Sequence, residues 1–315
     1  MWAFFLALIL PSMSFAADIT AVGPLPYDDS HPEPRAGCTH RLTGQIGPDD
    51  LAKIQALPTD PQTVLCLDSP GGVCRAGVQI GAYMRETGIG TRLEENAICE
   101  SACAIVFMSG TYHADTPRYG PKYEGGWQLG PQLWRSMHPT ARLGFHAPRL
   151  NVPEGQYDEA TVLKAYDIAL QGLSEFATTL MMQGDQGDYI LWDPNLYAQM
   201  IATPHDEMLY IDTVETAGRY KIEIGPMVAP PKQPDARTLI QACVTHYGWA
   251  ESLGSNTYAD ALPGATTNGT KVELSNGLPC NFEPGGKDSY WRDDHYDIPD
   301  ITFFHPTTPL VDLTP

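Results

Sequence analysis

The sequence predicts an α/β protein built in layers. Three observations predict it. Thr63 to Leu67 is a short apolar, partly β-branched run that stops at the turn signal Asp68-Ser69-Pro70-Gly71-Gly72. Ala102 to Met108 is apolar on every face, as a wholly buried helix is. Asp158 to Met182 carries Val162, Tyr166, Ala169, Leu173, Phe176 and Leu180 at three- and four-residue steps, the period of an α-helix.

From the amino terminus, Met1 to Ala16 reads as a secretory signal. Phe4 to Leu10 is an unbroken apolar run, too short to span a bilayer as a helix. Ser14-Phe15-Ala16 supplies the small-x-small pattern of a signal-peptidase site, so the cut is expected before Ala17. Residues 17 to 37, rich in Pro, Gly and Asp, read as an extended leader, and the composition becomes globular at Cys38.

After the first strand and its glycine turn, Ala76, Ile80, Tyr83 and Met84 recur at helical spacing, and Gly88 closes that helix. Strand, glycine turn and helix form the opening half of a βαβ unit. Gly90 to Leu93 is the next expected strand. Thr111 to Thr140 is rich in Gly, Pro and aromatics without periodicity and reads as a long inserted loop. Arg142 to Ala147 is a short segment ended by Pro148. Pro226, Pro230, Pro231 and Pro234 mark a linker over 226–234. The main domain is therefore expected over 38–225, with a small Pro- and Gly-rich appendage at 235–315.

The formal net charge is −19. So acidic a chain is repelled by phosphate backbones, which argues against nucleic acid as a partner. Seven cysteines in an exported chain point to an oxidising compartment, and an odd number leaves at least one unpaired within the chain. Cys243 and Cys280, isolated together in the last third, are the first candidates for a bridge. Cys38, Cys66, Cys74, Cys99 and Cys103 have several possible pairings. Neither a CxxC…CxxC nor an HExxH pattern is present, so no metal or other cofactor has positive support.

Candidate chemistry gathers at Ser101, which stands where the all-apolar helix begins. A serine attacks only if a base removes its proton and donors hold the oxyanion that forms. The Ala102 N–H at the start of that helix is one candidate donor, and the backbone at Gly71-Gly72, where missing side chains permit close approach, is a second. His146, in Leu143-Gly144-Phe145-His146-Ala147-Pro148, is the candidate base. The alternative roles are ordinary ones: a helix cap for Ser101, a core histidine for His146, a solvated turn for Asp206. A cysteine nucleophile, Cys99 or Cys103 with His146, ranks below serine.

Taken in order, these blocks resemble the Clp protease proteolytic subunit and its crotonase-superfamily relatives, most closely exported members. Ser69-Pro70-Gly71-Gly72 is similar to the family's oxyanion turn, which implies Gly72 as one N–H donor. Cys99-Glu100-Ser101-Ala102-Cys103, closing with Ser109-Gly110, resembles the nucleophile block and implies Ser101 as nucleophile and Ala102 as second donor. Gly144-Phe145-His146-Ala147-Pro148 resembles the His-x-Pro block and implies His146 as base. The family's triad Asp precedes an apolar patch, a short helix and a Gly. Asp206, Met208-Leu209, Thr213 to Ala217 and Gly218 repeat that order, which places Asp206 ahead of Asp185, Asp188, Asp193 and Asp212.

The resemblance spans about 38–225 and implies a fold of repeated ββα units with the small C-terminal appendage outside it. It departs from the family in the two cysteines around Ser101 and in the longer 111–140 stretch. It implies an exported, periplasmic or secreted serine peptidase acting on peptides or unfolded protein, without the ATP-driven unfoldase of the cytosolic enzyme. It further implies self-association through the helix at 158–182. An esterase using the same triad, and a non-catalytic binding protein on a crotonase-like scaffold, are the other readings.

Overall fold

The computed structural model describes residues 16–25, 37–58, 63–112, 132–150, 152–181, 192–250, 264–275, 277–284, 291–292 and 299–315. In chain order, β1 (Asp18–Ala21), β2 (His40–Thr43) and α1 (Asp50–Gln55) lead into β3 (Val64–Asp68), α2 (Cys74–Thr87) and β4 (Gly90–Leu93). Next come β5 (Ile98–Glu100), α3 (Ala102–Met108), β6 (Thr111–Tyr112), β7 (Gln132–Leu133), β8 (Arg135–Met137), β9 (Arg142–Phe145) and α4 (Glu159–Phe176). Then follow α5 (Pro194–Ala202), β10 (Leu209–Tyr210), α6 (Val214–Arg219), β11 (Glu223–Ile224) and α7 (Ala236–Ala250).

The protein is mixed α/β, with sheets of mixed orientation. The large sheet has the order β1-β2-β3-β4-β8-β11, antiparallel between β1 and β2 and parallel from there on. A smaller sheet has the order β10-β9-β5, with β5 and β9 parallel and β10 antiparallel to β9. The two sheets share chain segments. Beyond β3, Ser69 pairs with Cys99 of β5 through Ser69 N–H to Ile98 O (2.6 Å) and Glu100 N–H to Ser69 O (3.2 Å). The segments 90–100 and 135–145 likewise cross the large sheet as β4 and β8 and the small one as β5 and β9. Each of the three segments is followed by a helix, α2, α3 or α4.

The strand at Val64–Asp68 is buried except at Asp68, as a parallel strand covered on both faces must be. α2 packs its Ala76, Ile80 and Met84 face inward and ends at Gly88, which is left-handed (φ 75°) and donates its N–H to Met84 O at 2.9 Å. α3 is buried along its whole length. Its apolar faces therefore find partners on every side.

One sequence expectation needs correction. The 111–140 stretch is not loop throughout: β8 runs parallel between β4 and β11 in the large sheet. Its Arg135-Ser136-Met137 looked unlike a core strand because Arg135 is buried with its charge satisfied by backbone carbonyls. That guanidinium donates to Met108 O (2.6 Å), Tyr220 O (2.6 Å) and Lys221 O (3.1 Å). Residues 113–131 of the stretch lie outside the described residues. The helix expected over 158–182 is present as α4. It begins as expected, with the Asp158 carboxylate accepting the Thr161 N–H at 2.8 Å, and it passes into a π turn at 177–181. Yet only Phe176 of its residues is buried, and Val162, Leu163, Tyr166, Ile168 and Leu170 are exposed.

The C-terminal region builds a second small core from α7, β12 (Thr266–Asn268), β13 (Lys271–Glu273) and β14 (Pro279–Asn281), with Leu239, Val272 and Phe282 at its centre. The tail then returns to the main core. Leu310 N–H donates to Asp212 O (2.8 Å), and Ile301, Leu310 and Leu313 are buried there. Three cysteine pairs lie at disulfide distance, Cys38–Cys66, Cys99–Cys103 and Cys243–Cys280, the last being the pair suggested by its isolation in the sequence. Cys74 is the free thiol. Among the described residues no helix is long and apolar enough to cross a membrane. Three disulfides fit an exported protein.

Candidate active site

The site lies where the two sheets meet. β5 ends at Glu100, Ser101 makes the turn, and α3 begins at Ala102. Ser101 has φ 58° and ψ −122°, a conformation that non-glycine residues rarely hold without support. Three features supply the support. The Ser101 N–H donates to Gly144 O on β9 at 3.0 Å. The Cys99–Cys103 disulfide ties the strand before the turn to the first turn of helix after it, and both cysteines are wholly buried. Gly71 packs directly beneath: a Cβ there would lie 2.5 Å from Glu100 O and 2.7 Å from the Ser101 Cβ.

Gly71 and Gly72 are both left-handed in φ (95° and 149°). Their turn is held on one side by Ile46, whose N–H donates to Gly71 O (2.8 Å) and whose O accepts from Val73 N–H (2.9 Å). A Cβ at Gly72 would stand 2.1 Å from Ile46 O, so only glycine fits. Within the turn, Gly71 N–H donates to the Ser69 hydroxyl at 3.1 Å. That pattern turns the Gly72 N–H away from Ile46. Among the described residues, neither the Gly72 N–H nor the Ala102 N–H has an acceptor.

His146 follows β9 directly. Because Glu100 pairs with Gly144 in parallel register, Ser101 and His146 emerge from the same ends of neighbouring strands. Both are partly exposed. The His146 Nδ1 lies 2.9 Å from Ala147 O. A carbonyl can only accept, so this contact puts the imidazole proton on Nδ1 and leaves the Nε2 lone pair available as a base. No hydrogen bond joins the Ser101 hydroxyl to His146.

Asp206 sits in the exposed turn after α5, closed by Glu207 N–H to Pro204 O (3.0 Å). That turn flanks the histidine through Ala147 N–H to Thr203 O (2.9 Å) and the Phe145–Leu209 pairing. Its carboxylate makes no hydrogen bond to His146, and the orienting acceptor is the Ala147 carbonyl instead. Of the other carboxylates considered, Asp193 caps α5 by accepting the Asn195 N–H (2.6 Å), Asp212 is an exposed residue, and Asp185 and Asp188 lie outside the described residues.

A cysteine nucleophile is ruled out at Cys99 and Cys103, because their sulfurs are bonded to each other. The Cys74 thiol is pushed up to about 11 by burial and then by the Glu175 carboxylate, so it stays protonated at neutral pH. Among the described residues one cluster has metal-ligand spacing, Cys38, Cys66 and Glu94. Its two sulfurs are consumed by a disulfide and Glu94 by an ion pair with Arg41 (2.6 Å).

Sequence reasoning missed a polar group beside Ser101. The Glu100 carboxylate accepts from Arg142 (2.9 Å) and from the Tyr210 hydroxyl (2.9 Å), and Arg142 also donates to Tyr210. The group crosses β5, β9 and β10 and ties the strand that delivers Ser101 to the two around His146. No protein-family model matches the chain, and no curated protein matches its sequence.

Proposed function

We propose that the protein is an exported serine hydrolase, acting as a peptidase, with Ser101 as nucleophile and His146 as general base. The observation that carries the reading is the backbone of Ser101. A serine held at positive φ between a β-strand and a helix is strained, such strain clusters at active sites, and here it stands beside two unengaged N–H groups. In the reaction the Ser101 oxygen attacks the substrate carbonyl carbon while His146 Nε2 takes the hydroxyl proton. The oxyanion accepts from Gly72 and Ala102 N–H. The intermediate collapses, the C–N bond breaks, and His146 gives its proton to the leaving amine. Water then repeats the sequence on the acyl-enzyme and restores Ser101.

No metal or cofactor enters these steps. Asp206, on the turn beside the histidine, would serve as third member once its carboxylate meets Nδ1 in place of the Ala147 carbonyl. An extended peptide fits the site because the free Gly72 N–H and the exposed Val73 next to it offer a strand edge with an apolar neighbour. An ester would pass through the same acyl-enzyme. Secretion, by cleavage before Ala17, places the enzyme in the periplasm or outside the cell, where peptides or unfolded proteins are its substrates, and the resemblance to Clp-type peptidases supports this.

The second reading, a non-catalytic binding protein, is favoured by one observation, the lack of a hydrogen bond between Ser101 and His146. Turnover of peptide and ester libraries by residues 17–315 decides between them. Hydrolysis abolished by Ser101→Ala in a folded protein supports the enzyme, and activity retained in that variant rejects it.

A further inference from the structure

Asp50 is wholly buried at the start of α1, four residues after Ile46, which holds the Gly71-Gly72 turn. Its Oδ2 accepts the Gly47 N–H (2.7 Å) and the backbone N–H of Ala17 (2.9 Å). Lys53 Nζ stands 2.8 Å from Oδ1 and donates to Ala17 O at 2.5 Å. The lysine contact at Oδ1 is a close charge approach without hydrogen-bond geometry, so that oxygen remains unsatisfied by any directed donor. A buried carboxylate oxygen without one is costly. Ala17 is the residue expected to begin the processed chain, and the change from outside to inside falls at that bond: Ala16 is exposed and Ala17 is buried.

We propose that the α-amino group released by cutting between Ala16 and Ala17 docks on the Asp50 carboxylate and fixes the loop that holds the Gly71-Gly72 turn. The docking rests on processing at that bond, and only its effect on Ser101 rests on the hydrolase reading. A signal peptidase hydrolyses the amide: water's hydroxyl goes to the Ala16 carbonyl carbon, the C–N electron pair stays on the Ala17 nitrogen, and that nitrogen takes protons to become an ammonium. The amide has one N–H, which Oδ2 already uses. The ammonium has three and a full charge, so it can serve Oδ1 as well, and a buried carboxylate gains most from such a donor.

The consequence reaches the site through three residues. Asp50 holds Gly47, Gly47 follows Ile46, and Ile46 carries both hydrogen bonds that fix Gly71 and Val73. The new amino terminus thus pins the support of the oxyanion turn. The loop is already assembled around the Ala17 amide in the uncut chain, and cleavage adds the charge and the two further N–H donors that strengthen it.

The test uses the exported, processed protein. Its amino terminus, read by mass spectrometry, is expected to be Ala17. A chain starting elsewhere overturns the proposal. Acetylation of the Ala17 amine by an N-hydroxysuccinimide ester is expected to be at least tenfold slower in the folded protein than in urea, and Asp50→Asn is expected to abolish most of that protection. Equal rates in folded and unfolded protein overturn it. Should Asp50→Asn not fold, a chain extended by Gly-Ser before Ala17 keeps Asp50 and removes the docked amine. Its Tm is expected to fall by about 3 °C or more, and an unchanged Tm overturns the proposal. Labelling of Ser101 by a fluorophosphonate is expected to slow at least fivefold in the extended chain. If the processed protein itself never labels, the hydrolase reading fails, while the amine protection still decides the docking.

Discussion

Ser101 holds its backbone where a serine is strained, and the residues around it are chosen to keep it there. Gly71 is the one that touches it directly, since a methyl group at that position would meet Glu100 O and the Ser101 Cβ and would also face a φ of 95°. Gly71→Ala is expected to cost about 3 kcal/mol or more in urea unfolding and to abolish activity at Ser101. A variant as stable and active as the parent would contradict the packing described. Cys74, close in sequence to this turn, gives a test of burial. With its thiol pushed up to about 11, iodoacetamide alkylation at pH 8 is expected on the order of a hundredfold slower than for a free thiol of pKa about 8.5. The rate should climb about tenfold per pH unit until the thiol titrates, because the thiolate is the reacting form. Ser101, His146 and the glycine pair were legible in the sequence because each carries its signal locally, in a turn or at a helix start. The Glu100–Arg142–Tyr210 group was not, because its members are 42 and 68 residues apart along the chain and meet only through the register of three strands.

At the scale of elements, strand–turn–helix units were the readable part. β3, α2, β4 and α3 were all expected from the sequence, and the structure places them within a residue or two of the expected limits. β8 was hidden because a buried arginine breaks the apolar pattern, and its three carbonyl acceptors come from the end of α3 and the turn after α6. Pairing among the five cysteines of the main domain was equally hidden, since spacing alone cannot distinguish a bridge across four residues from one across 28, whereas Cys243–Cys280 was suggested by its isolation. The bridges differ in what they do. Replacing Cys38 and Cys66 by Ala opens the longer loop and is expected to cost about 3–4 kcal/mol, against about 2 kcal/mol for Cys99 and Cys103. Reactivity should follow the opposite order. Loss of Cys99–Cys103 frees the two arms of the Ser101 turn and is expected to slow serine labelling at least tenfold, while the Cys38–Cys66 variant labels normally once folded. Equal labelling in both would show that the bridge serves stability alone.

On the whole molecule, the exposed apolar residues of α4 stand out against a chain of net charge −19. Val162, Leu163, Tyr166 and Leu170 lie along one side of a helix whose carboxyl end alone is anchored, through Phe176 against Trp192 and Tyr197. An apolar stripe of this size left to water favours association with another copy. The processed protein is expected to sediment as an oligomer, and Leu163→Glu with Tyr166→Glu is expected to yield monomers. A monomeric parent would contradict self-association through this helix. The most direct measurement is fluorophosphonate labelling of residues 17–315 beside the folded Ser101→Ala variant. Covalent labelling of the parent at Ser101, absent from the variant, is the predicted result. A folded parent that takes up no label, or a variant that labels equally, would contradict an activated serine at this site.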